Sequence, residues 1–407
     1  MRHVLDVSRL LVVTSDLQLL LGRIAEAATS LLGAERASIF LHDPNQQVLW
    51  TRIALGSNEI RVPDSAGIVG HVFQTNVRLV IPDAYADERF NQEIDRRTGF
   101  ITRNLLTIPL PDITDRPIGV LQVVNKIGGS FLPGDETMIE LLADQAGVAI
   151  QRYNLQQAAV QGAELRHEMD LARNVQNRLI PKHPPTIPGL TAAGWTRSAS
   201  VTGGDCFDLW EITDGELGIF LGDASGHGLA PAMIVSQART LIRALSEINS
   251  DPQWLLSRVN ARLACDMEDS RFVTAFAGRA STDGRIHWWS AGHGPIFVRP
   301  SPDSPIEMLP PQGPPLGIDL DMPECAAECI QLAPGGQLMI LSDGIFESPR
   351  TTDGELFGFP RLIELFDAGR HDSPANLLAR IRDAMIQWHG NEDPVDDQTA
   401  VIVRRSI

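Results

Sequence analysis

Six aspartates in the second half of the chain lie near the ends of predicted strands and could together hold metal ions. A single aspartate after a strand usually only forms a turn, so the prediction depends on their convergence. Clustered carboxylates without a nearby Lys or Arg repel one another unless a cation neutralises them. Oxygen ligands with no local cysteine favour Mg²⁺ or Mn²⁺ over zinc, and two such ions can clamp a phosphate and activate a water. The six residues are Asp205, Asp208, Asp223, Asp343, Asp396 and Asp397.

The stretch 201–228 predicts a β-hairpin that brings some of these carboxylates together. Asp214-Gly215 lies between two β-like runs and is a strong signal for a two-residue type I′ turn. With these two residues as the loop, Cys206 lies opposite Asp223, and Asp208 becomes a diagonal neighbour of Asp223 on one face. A one-residue bulge would change which residues share a face, so their proximity is the firmer expectation.

The first half of the chain predicts a small α+β sandwich. Residues 16–34 have apolar side chains at three-to-four spacing, which indicates an amphipathic helix. Several short β-like runs separated by turn residues follow, and a second helical stretch starts near Gly134. Helix, strands, then helix favours an antiparallel sheet with helices on one face.

A long helix is predicted from Thr137 to Leu179, a stretch without proline. Its three- and four-residue steps give an imperfect heptad seam, and the prolines of 180–185 end it. Either the helix packs on its own domains or it forms a parallel dimer, which we favour. The predicted boundaries are 1–152, 153–183 and 184–407. The seam is Leu141, Asp144, Val148, Gln151, Leu155, Ala158, Gly162, Leu165, Met169, Ala172, Gln176 and Leu179.

The remainder of the chain predicts one α/β-type domain, rich in short strands, with helices near 230–248, 252–266, 360–368 and 374–389. The chain has 407 residues and a net charge of −17, of which −13 falls in residues 156–407. This acidity argues against nucleic acid as a partner. The four cysteines form neither a disulfide framework nor a C-x-x-C zinc pair, and no signal peptide or membrane span is evident. We therefore expect a cytoplasmic protein that binds no membrane.

The carboxy-terminal half resembles the SpoIIE/RsbU branch of the metal-dependent (PPM, type 2C-like) serine/threonine protein phosphatases. The resemblance implies an αββα sandwich and a hydrolase. It rests on ARNVQNRLIP (172–181), VTGGDCFD (201–208), GDASGHGLAPAM (222–233), RFVTAF (271–276), SAGHGP (290–295), PLGI (315–318), LMILSDGIFE (338–347), LFGFPRL (356–362) and DDQTAVIVR (396–404).

This resemblance implies two Mn²⁺ or Mg²⁺ ions and assigns their ligands. Asp223 would bridge both ions, and the Ala224 carbonyl would complete one site. Asp343 and Asp396 would hold the second ion, and Asp205 would ligate directly or through water. The attacking group would be a metal-bound water, so no side chain is assigned as a catalytic nucleophile.

Three further residues of these motifs receive other roles. Asp208 is expected to tune the metal ligands rather than to bind an ion itself. For His227 and His293, a turn-stabilising or water-orienting role stays open beside direct catalysis. Some relatives use an arginine to grip the phosphate, and none is assigned in this sequence.

Residues 17–152 resemble a GAF domain of the kind that binds cyclic nucleotides in phosphodiesterases and adenylyl cyclases. Asn125-Lys126, Phe131 and Asp135-Glu136 reproduce the signature of that subset. Lys126 is one of only two lysines in the chain, which suggests a compact ammonium paired with Asp135. The other stretches that carry the resemblance are RASIFLHD (36–43), SAGIVGHV (65–72), IPDAYADERFN (81–91), DRRTGFITRNLLTIP (95–109) and GVLQVVNK (119–126).

The resemblance also implies a ligand pocket in the GAF domain. Ala54-Leu55 departs from relatives that present an aromatic and an acid there. A cyclic nucleotide (cAMP or cGMP), another small ligand, and a purely structural or dimerising domain all stay open, in that order of preference. Covalent bilin attachment is not expected, because no cysteine precedes Cys206. The implied lining residues are Ser38, Ile68, Val69, Asp95, Thr98, Thr102 and Gln122.

These observations predict a ligand-regulated phosphatase that forms a homodimer through the GAF domain and linker. Its substrate would be a phosphorylated protein, which the resemblance suggests is an anti-anti-sigma (STAS-type) factor in bacterial signalling. The alternative is a non-catalytic GAF sensor that scaffolds partners through an inactive phosphatase-like domain.

Overall fold

The fold is taken from a computed structural model, which describes residues 16–51, 60–212, 215–266, 271–319, 322–323, 326–350, 353–390 and 393–407, without the side chains of Arg97, Thr98 and Asp266. The chain divides into two compact units, Met1–Glu164 and Leu165–Ile407. The departure noted at Ala54-Leu55 lies outside the described residues.

The first unit is built on an antiparallel sheet with the order β3-β2-β1-β6-β5-β4. Its long central strands, β1 and β6, pair over most of their lengths and carry the core on both faces. The strands are β1 (Ala34–Asp43), β2 (Val48–Thr51), β3 (Ile60–Pro63), β4 (Leu79–Ile81), β5 (Leu105–Pro111) and β6 (Pro117–Lys126).

Helices cover both faces of this sheet. The helix α1 (Leu17–Leu32) begins at Asp16, whose side chain accepts the Leu19 N–H, and ends at Gly33 in the left-handed region. With the first part of α4 (Pro133–Leu179), α1 buries one face. The expectation of helices on one face only is wrong, because α2 (Gly67–Thr75) packs on the other. α3 (Gln92–Thr98) follows β4 in the chain.

The helix α4 confirms the predicted long helix, and the boundary between the units, Glu164/Leu165, lies within it. Leu141, Val148 and Leu155, spaced by seven residues, are about half exposed at 54%, 47% and 63%. The predicted segment boundaries at 152 and 183 stay a prediction.

The second unit is a sandwich of two antiparallel five-stranded sheets, with the orders β14-β11-β10-β9-β8 and β13-β12-β15-β16-β7. Apolar residues from the facing sides of both sheets form one buried cluster between them. The strands are β7 (Leu190–Arg197), β8 (Asp205–Ile212), β9 (Glu216–Ala224), β10 (Val273–Ala280), β11 (Arg285–Ala291), β12 (Ile296–Arg299), β13 (Glu307–Leu309), β14 (Glu328–Gln331), β15 (Gln337–Leu341) and β16 (Gln398–Arg405).

Helices cover the outer face of each sheet, which confirms the αββα sandwich. Two pack on the first sheet and bury a second apolar cluster, and the others pack on the second sheet around a third. The four predicted helices are confirmed within two residues at each end. The helices are α5 (Leu229–Ser246), α6 (Pro252–Asp266), α7 (Asp343–Phe346), α8 (Gly358–Ala368) and α9 (Pro374–His389). No helix within the described residues has the length and apolarity needed to cross a membrane.

Candidate functional site

The first sheet of the sandwich supplies two carboxylates that face each other. Asp205, the first residue of β8, pairs directly with Asp223 near the end of β9. Directly opposed residues share a face, and here it is the face toward the second sheet. The predicted pairing of Cys206 with Asp223 is wrong. Ile212 pairs with Glu216, so three residues rather than two separate the strands, which moves every partner by one position.

Asp208 faces the opposite side of β8, because it is three positions from Asp205. Its buried carboxylate contacts Arg239 Nη2 at 2.7 Å and Arg243 Nη1 at 3.1 Å, both on α5. The predicted diagonal contact with Asp223 is therefore wrong. Whether Asp208 tunes the ligand set through α5 stays a prediction.

The second sheet supplies the other acids at one edge. Asp343 begins α7 two residues after the end of β15, and Asp396 lies two residues before β16, the antiparallel neighbour of β15. Ser342 ties the two strands together at this edge. Its N–H donates to the Thr399 carbonyl at 2.9 Å, and its hydroxyl donates to the Asp397 carbonyl at 3.2 Å.

The two sheets meet at Asp397. This buried carboxylate accepts the backbone N–H groups of Ala199, Gly204 and Asp205. The segment that leads into β8 is thereby fixed to the start of β16. An added Cβ at Gly204 would lie 2.7 Å from the Ala224 carbonyl oxygen, so only glycine fits between them.

Asp205 is a buried carboxylate that lacks hydrogen-bond partners. Asp205 is only 3% exposed, and neither of its carboxylate oxygens has a hydrogen-bond partner of acceptable geometry. Burial raises the pKa of Asp205 well above its ordinary value, and the charges of Asp223 and Asp397 raise it further. The hydroxyls of Ser342 and Thr399 lie close enough to oppose this rise. A buried, unpartnered carboxylate of this kind is suited to a cation.

Asp223 and Asp343 show the same electrostatic conflict. Burial raises the pKa of Asp223 to about 7, and the charges of Asp343, Asp396 and Asp397 contribute. Burial also raises the pKa of Asp343, followed by the charges of Asp396 and Glu347. Acidic groups from both sheets thus repel one another at one edge of the sandwich.

The residues at this edge fit hard divalent cations by their chemistry. Every donor is an oxygen, and the mutual repulsion is what a cation would relieve. Within the described residues, no three His, Cys, Asp or Glu side chains already converge tightly enough to enclose an ion. The direct pairing of Asp205 with Asp223, and the effect of the Asp343 and Asp396 charges on Asp223, nevertheless place the four predicted ligands near one another. Their role as ligands stays a prediction, as does that of the Ala224 carbonyl.

His293 is buried, whereas His227 is exposed. The Nδ1 atom of His293 is 2.9 Å from the hydroxyl of Thr274, the residue paired with Asp223 on β10. Burial lowers the pKa of His293 to about 4. The imidazole is therefore neutral at pH 7, which favours a structural role over proton donation.

Two glutamines that the sequence analysis gave no site role hold the backbone around the site. Gln176 near the end of α4 is buried, and its amide donates to the Gly203 carbonyl at 2.6 Å and accepts the Gly203 N–H at 3.1 Å. Gln398 donates to the Gly344 carbonyl and to His389 Nε2, which the Ser348 hydroxyl also contacts. Both glutamines lie inside the motifs ARNVQNRLIP and DDQTAVIVR, which is the signal that could have identified them.

The first unit contains a cavity of about 370 Å³ on the α2 face of its sheet. Five of the predicted lining residues line it, namely Ile68, Val69, Asp95, Thr102 and Gln122. Ser38 is not among the lining residues, although it pairs with Gln122 across β1 and β6. The side chain of Thr98 lies outside the description.

Asp95 is already engaged by protein groups. Its carboxylate accepts the Thr102 N–H at 2.7 Å, the Thr102 hydroxyl at 2.9 Å and the Tyr85 hydroxyl at 3.1 Å. These contacts join α3 to the segment that leads into β5, so Asp95 shapes the cavity wall. The predicted pair of Lys126 with Asp135 is confirmed at 2.7 Å, and the ammonium also donates to the Leu32 carbonyl at the end of α1.

Comparisons with known proteins agree with this division into two domains. Residues 213–406 match the family model of stage II sporulation protein E (SpoIIE), and residues 16–150 match that of the GAF domain. Over 168 residues the chain is 35% identical to a probable 3′,5′-cyclic phosphodiesterase of Caenorhabditis elegans, covering 37% of this chain and 23% of the relative. Over 140 residues it is 33% identical to the dual 3′,5′-cyclic-AMP and -GMP phosphodiesterase 11A of Takifugu rubripes, covering 31% and 16%.

The chain therefore spans less than a quarter of the length of these curated relatives. Among solved structures, the SiaA-PP2C domain of Pseudomonas aeruginosa superposes with a TM-score of 0.53 at 18% identity. That match covers 61% of this chain and all of the other, and it shows a common fold. The chain therefore joins a GAF domain, matched over residues 16–150, to a SpoIIE-type domain, matched over residues 213–406, and the second unit has the fold of a PP2C domain.

Proposed function

We propose that this protein is a metal-dependent serine/threonine protein phosphatase of the cytoplasm, regulated by a small ligand on its GAF domain. The observation that carries the proposal is the meeting of carboxylates from two sheets at one edge of the sandwich. There Asp205 and Asp223 face Asp343 and Asp396, and the pKa values of Asp205, Asp223 and Asp343 are raised by burial and by neighbouring carboxylates.

The residues that would hold two Mn²⁺ or Mg²⁺ ions are Asp205, Asp223, Asp343 and Asp396, with the Ala224 carbonyl. When bound, such ions lower the pKa of water and neutralise phosphate charge, which is the chemistry the reaction requires. The chain's own contribution is to hold the carboxylates close together in a buried setting, where their raised pKa values reflect a repulsion that a bound cation would relieve. Neither oxygen of Asp205 has a protein donor in good hydrogen-bond geometry, and His293, in contact with Thr274 beside Asp223, stays neutral.

The proposed substrate is phosphoserine or phosphothreonine on a partner protein. The resemblance to the SpoIIE/RsbU branch supports this class, and it suggests a STAS-type anti-anti-sigma factor as the partner. An exposed phosphorylated side chain suits a site at the edge of a sandwich, since Asp396 is itself exposed there.

We propose that the GAF cavity binds a cyclic nucleotide, cAMP or cGMP. Ile68 and Val69 supply apolar wall for a base, while Thr102 and Gln122 supply polar groups. α2 also begins at this cavity without a side-chain cap, which leaves N–H groups for an anionic phosphate. The phosphodiesterases matched by the GAF region support this choice over another small ligand.

We further propose that α4 carries the regulation and pairs two copies into a dimer. The exposed heptad positions Leu141, Val148 and Leu155 give each copy an apolar stripe. At its other end, α4 contacts the phosphatase unit through Gln176, whose amide holds Gly203, two residues before Asp205. A shift of α4 would therefore move the backbone that positions Asp205.

The test of the activity is hydrolysis of p-nitrophenyl phosphate and of a phosphoserine peptide with and without Mn²⁺. We expect Mn²⁺-dependent turnover that Asp223→Asn abolishes. The matched control is Asp393→Asn, since the Asp393 side chain is 91% exposed and its surface ion pair with Arg197 should contribute little. Turnover that survives Asp223→Asn would refute the site, and no turnover in the wild type would favour the alternative, a non-catalytic scaffold.

The test of the regulation repeats the assay with cAMP, cGMP and other nucleotides. We expect one of them to change turnover in the wild type and to have no effect after Leu155 and Leu165 are both replaced by Asp. An unchanged ligand response in that double variant would refute transmission through α4. Sedimentation of the same variant tests the dimer, which we expect to dissociate.

A further inference from the structure

We propose that Asp397 is a positioning residue that fixes the backbone before Asp205, and that of the two adjacent aspartates only Asp396 is left to contact an ion. This inference rests on the proposed metal site. It assigns to Asp397 a role that the SpoIIE-type resemblance leaves open.

The carboxylate of Asp397 is occupied by backbone donors. Oδ1 accepts the Ala199 N–H at 2.7 Å, and Oδ2 accepts the Gly204 N–H at 2.5 Å and the Asp205 N–H at 3.3 Å. Three of its four lone-pair directions are thus used by one seven-residue segment. Three N–H donors thus converge on one carboxyl group, so this segment is held at three points.

The neighbouring Asp396 differs in exposure and in partners. Asp396 is exposed, whereas Asp397 is only 8% exposed. Asp396 accepts one backbone donor, the N–H of Asp397 at 2.8 Å, through Oδ1. The sequence Asp-Asp therefore provides one carboxylate directed to the protein backbone and one at the surface of the site.

Close packing leaves Asp397 and its surroundings little freedom. An added Cβ at Gly203 would lie 2.8 Å from Asp397 Oδ2, and one at Gly344 would lie 2.1 Å from the Asp397 carbonyl oxygen. Gly344 follows Asp343, so the same residue also sits against the segment that carries a ligand of the second sheet. Asp397 is thereby packed between the segments that carry Asp205 and Asp343.

An asparagine cannot replace this carboxylate. The amide NH₂ would have to point either at the Ala199 N–H or at the N–H groups of Gly204 and Asp205, so a donor would face a donor. We expect Asp397→Asn to release one side of the contact and to let Asp205 move. Because outer residues that orient a ligand typically change metal affinity 10–100-fold, we expect about a tenfold weaker binding of Mn²⁺.

The experiment is a calorimetric titration of the full chain with Mn²⁺, arranged as two double-mutant cycles. Asp397→Asn should weaken Mn²⁺ binding about tenfold in the wild type, less than about twofold when Asp205→Asn is already present, and again about tenfold when Asp343→Asn is present. Asp393→Asn is the control. A merely structural defect would lower affinity equally in every background.

Three results would overturn the inference. Asp397→Asn with unchanged affinity would remove the positioning role, and an undiminished tenfold loss in the Asp205→Asn background would show that Asp397 does not act through Asp205. A wild type that binds no Mn²⁺ would refute the proposed function and this inference with it. If Asp397→Asn fails to fold, the second variant is Ala199→Pro, which removes only the Ala199 N–H donor to Asp397. It should weaken Mn²⁺ binding about threefold, and unchanged affinity would overturn the inference.

Discussion

Replacing Asp223 by asparagine should stabilise the metal-free protein at pH 8, although it destroys the proposed site. The pKa of Asp223 is raised from 3.8 to about 7, first by burial and then by the charges of Asp343, Asp396 and Asp397. Above pH 7 the folded protein must therefore hold an unfavourable charge. The isosteric amide removes that charge and keeps the shape of the side chain.

The magnitude follows from the displacement of the pKa. At about 1.36 kcal/mol for each pKa unit, the rise corresponds to about 4 kcal/mol as an upper bound. Asp223 is partly exposed, and screening lowers the figure to about 2–4 kcal/mol. A carboxyl whose pKa is higher in the folded state destabilises the fold progressively as the pH rises from 3.8 to about 7. The gain from Asp223→Asn should therefore be full at pH 8 and about two-fifths of that at pH 5.

The assay is scanning calorimetry in EDTA at pH 5 and pH 8, with Asp393→Asn as the matched control. A gain of about 2–4 kcal/mol should raise the melting temperature of the phosphatase unit by roughly 5–10 °C at pH 8. Added Mn²⁺ should stabilise the wild type and leave Asp223→Asn unaffected. If the variant melts with the control at pH 8, or below it, the proposed repulsion among the carboxylates does not exist.

Three further predictions concern other parts of the molecule. Asp208→Asn leaves Arg239, whose side chain is only 13% exposed, poorly paired, and it should cost about 2–4 kcal/mol of unfolding free energy in urea melts. Mn²⁺ affinity should stay within about twofold of the wild type, and a large loss of affinity would instead show that Asp208 tunes the ligands. Burial lowers the pKa of His293 from 6.5 to about 4. As the pH drops from 6.5 to 4, the unfolding free energy of the wild type should therefore fall by about 3 kcal/mol relative to that of His293→Gln. Equal pH profiles of the two proteins would contradict a buried neutral imidazole. Lys126→Arg should lower the stability of the GAF unit by about 1–2 kcal/mol in denaturant melts, because a planar guanidinium cannot reach both Asp135 and the Leu32 carbonyl. An unchanged melt would refute that geometry.

Elements with a strong local signal were predictable from the sequence. α9 follows Ser373 and begins at Pro374, a capping residue and a proline in the first turn, and its bounds agree with the prediction. α2 was missed because its nine residues, GIVGHVFQT, are too short and too uniformly apolar to show helical periodicity. The missed helix forms part of the cavity wall, so the position of the pocket on that face could not be foreseen either.

The site itself shows where sequence reasoning ends. The acids near strand ends could be selected from their pattern, but the face of Asp208 depended on whether two or three residues form a turn, which Asp-Gly alone does not decide. The different surroundings of Asp396 and Asp397 follow from backbone donors almost 200 residues earlier in the chain. Gln176 likewise gains its role only through contact with Gly203.

The central claim is that carboxylates from both sheets form one site for two divalent ions. The most direct measurement is the number of Mn²⁺ ions bound per chain, determined by equilibrium dialysis for the wild type, Asp205→Asn and Asp343→Asn. We predict two ions for the wild type and the loss of at least one from each variant, since the variants alter opposite sheets. Wild-type protein that binds no Mn²⁺, or variants that both retain two ions, would contradict the account.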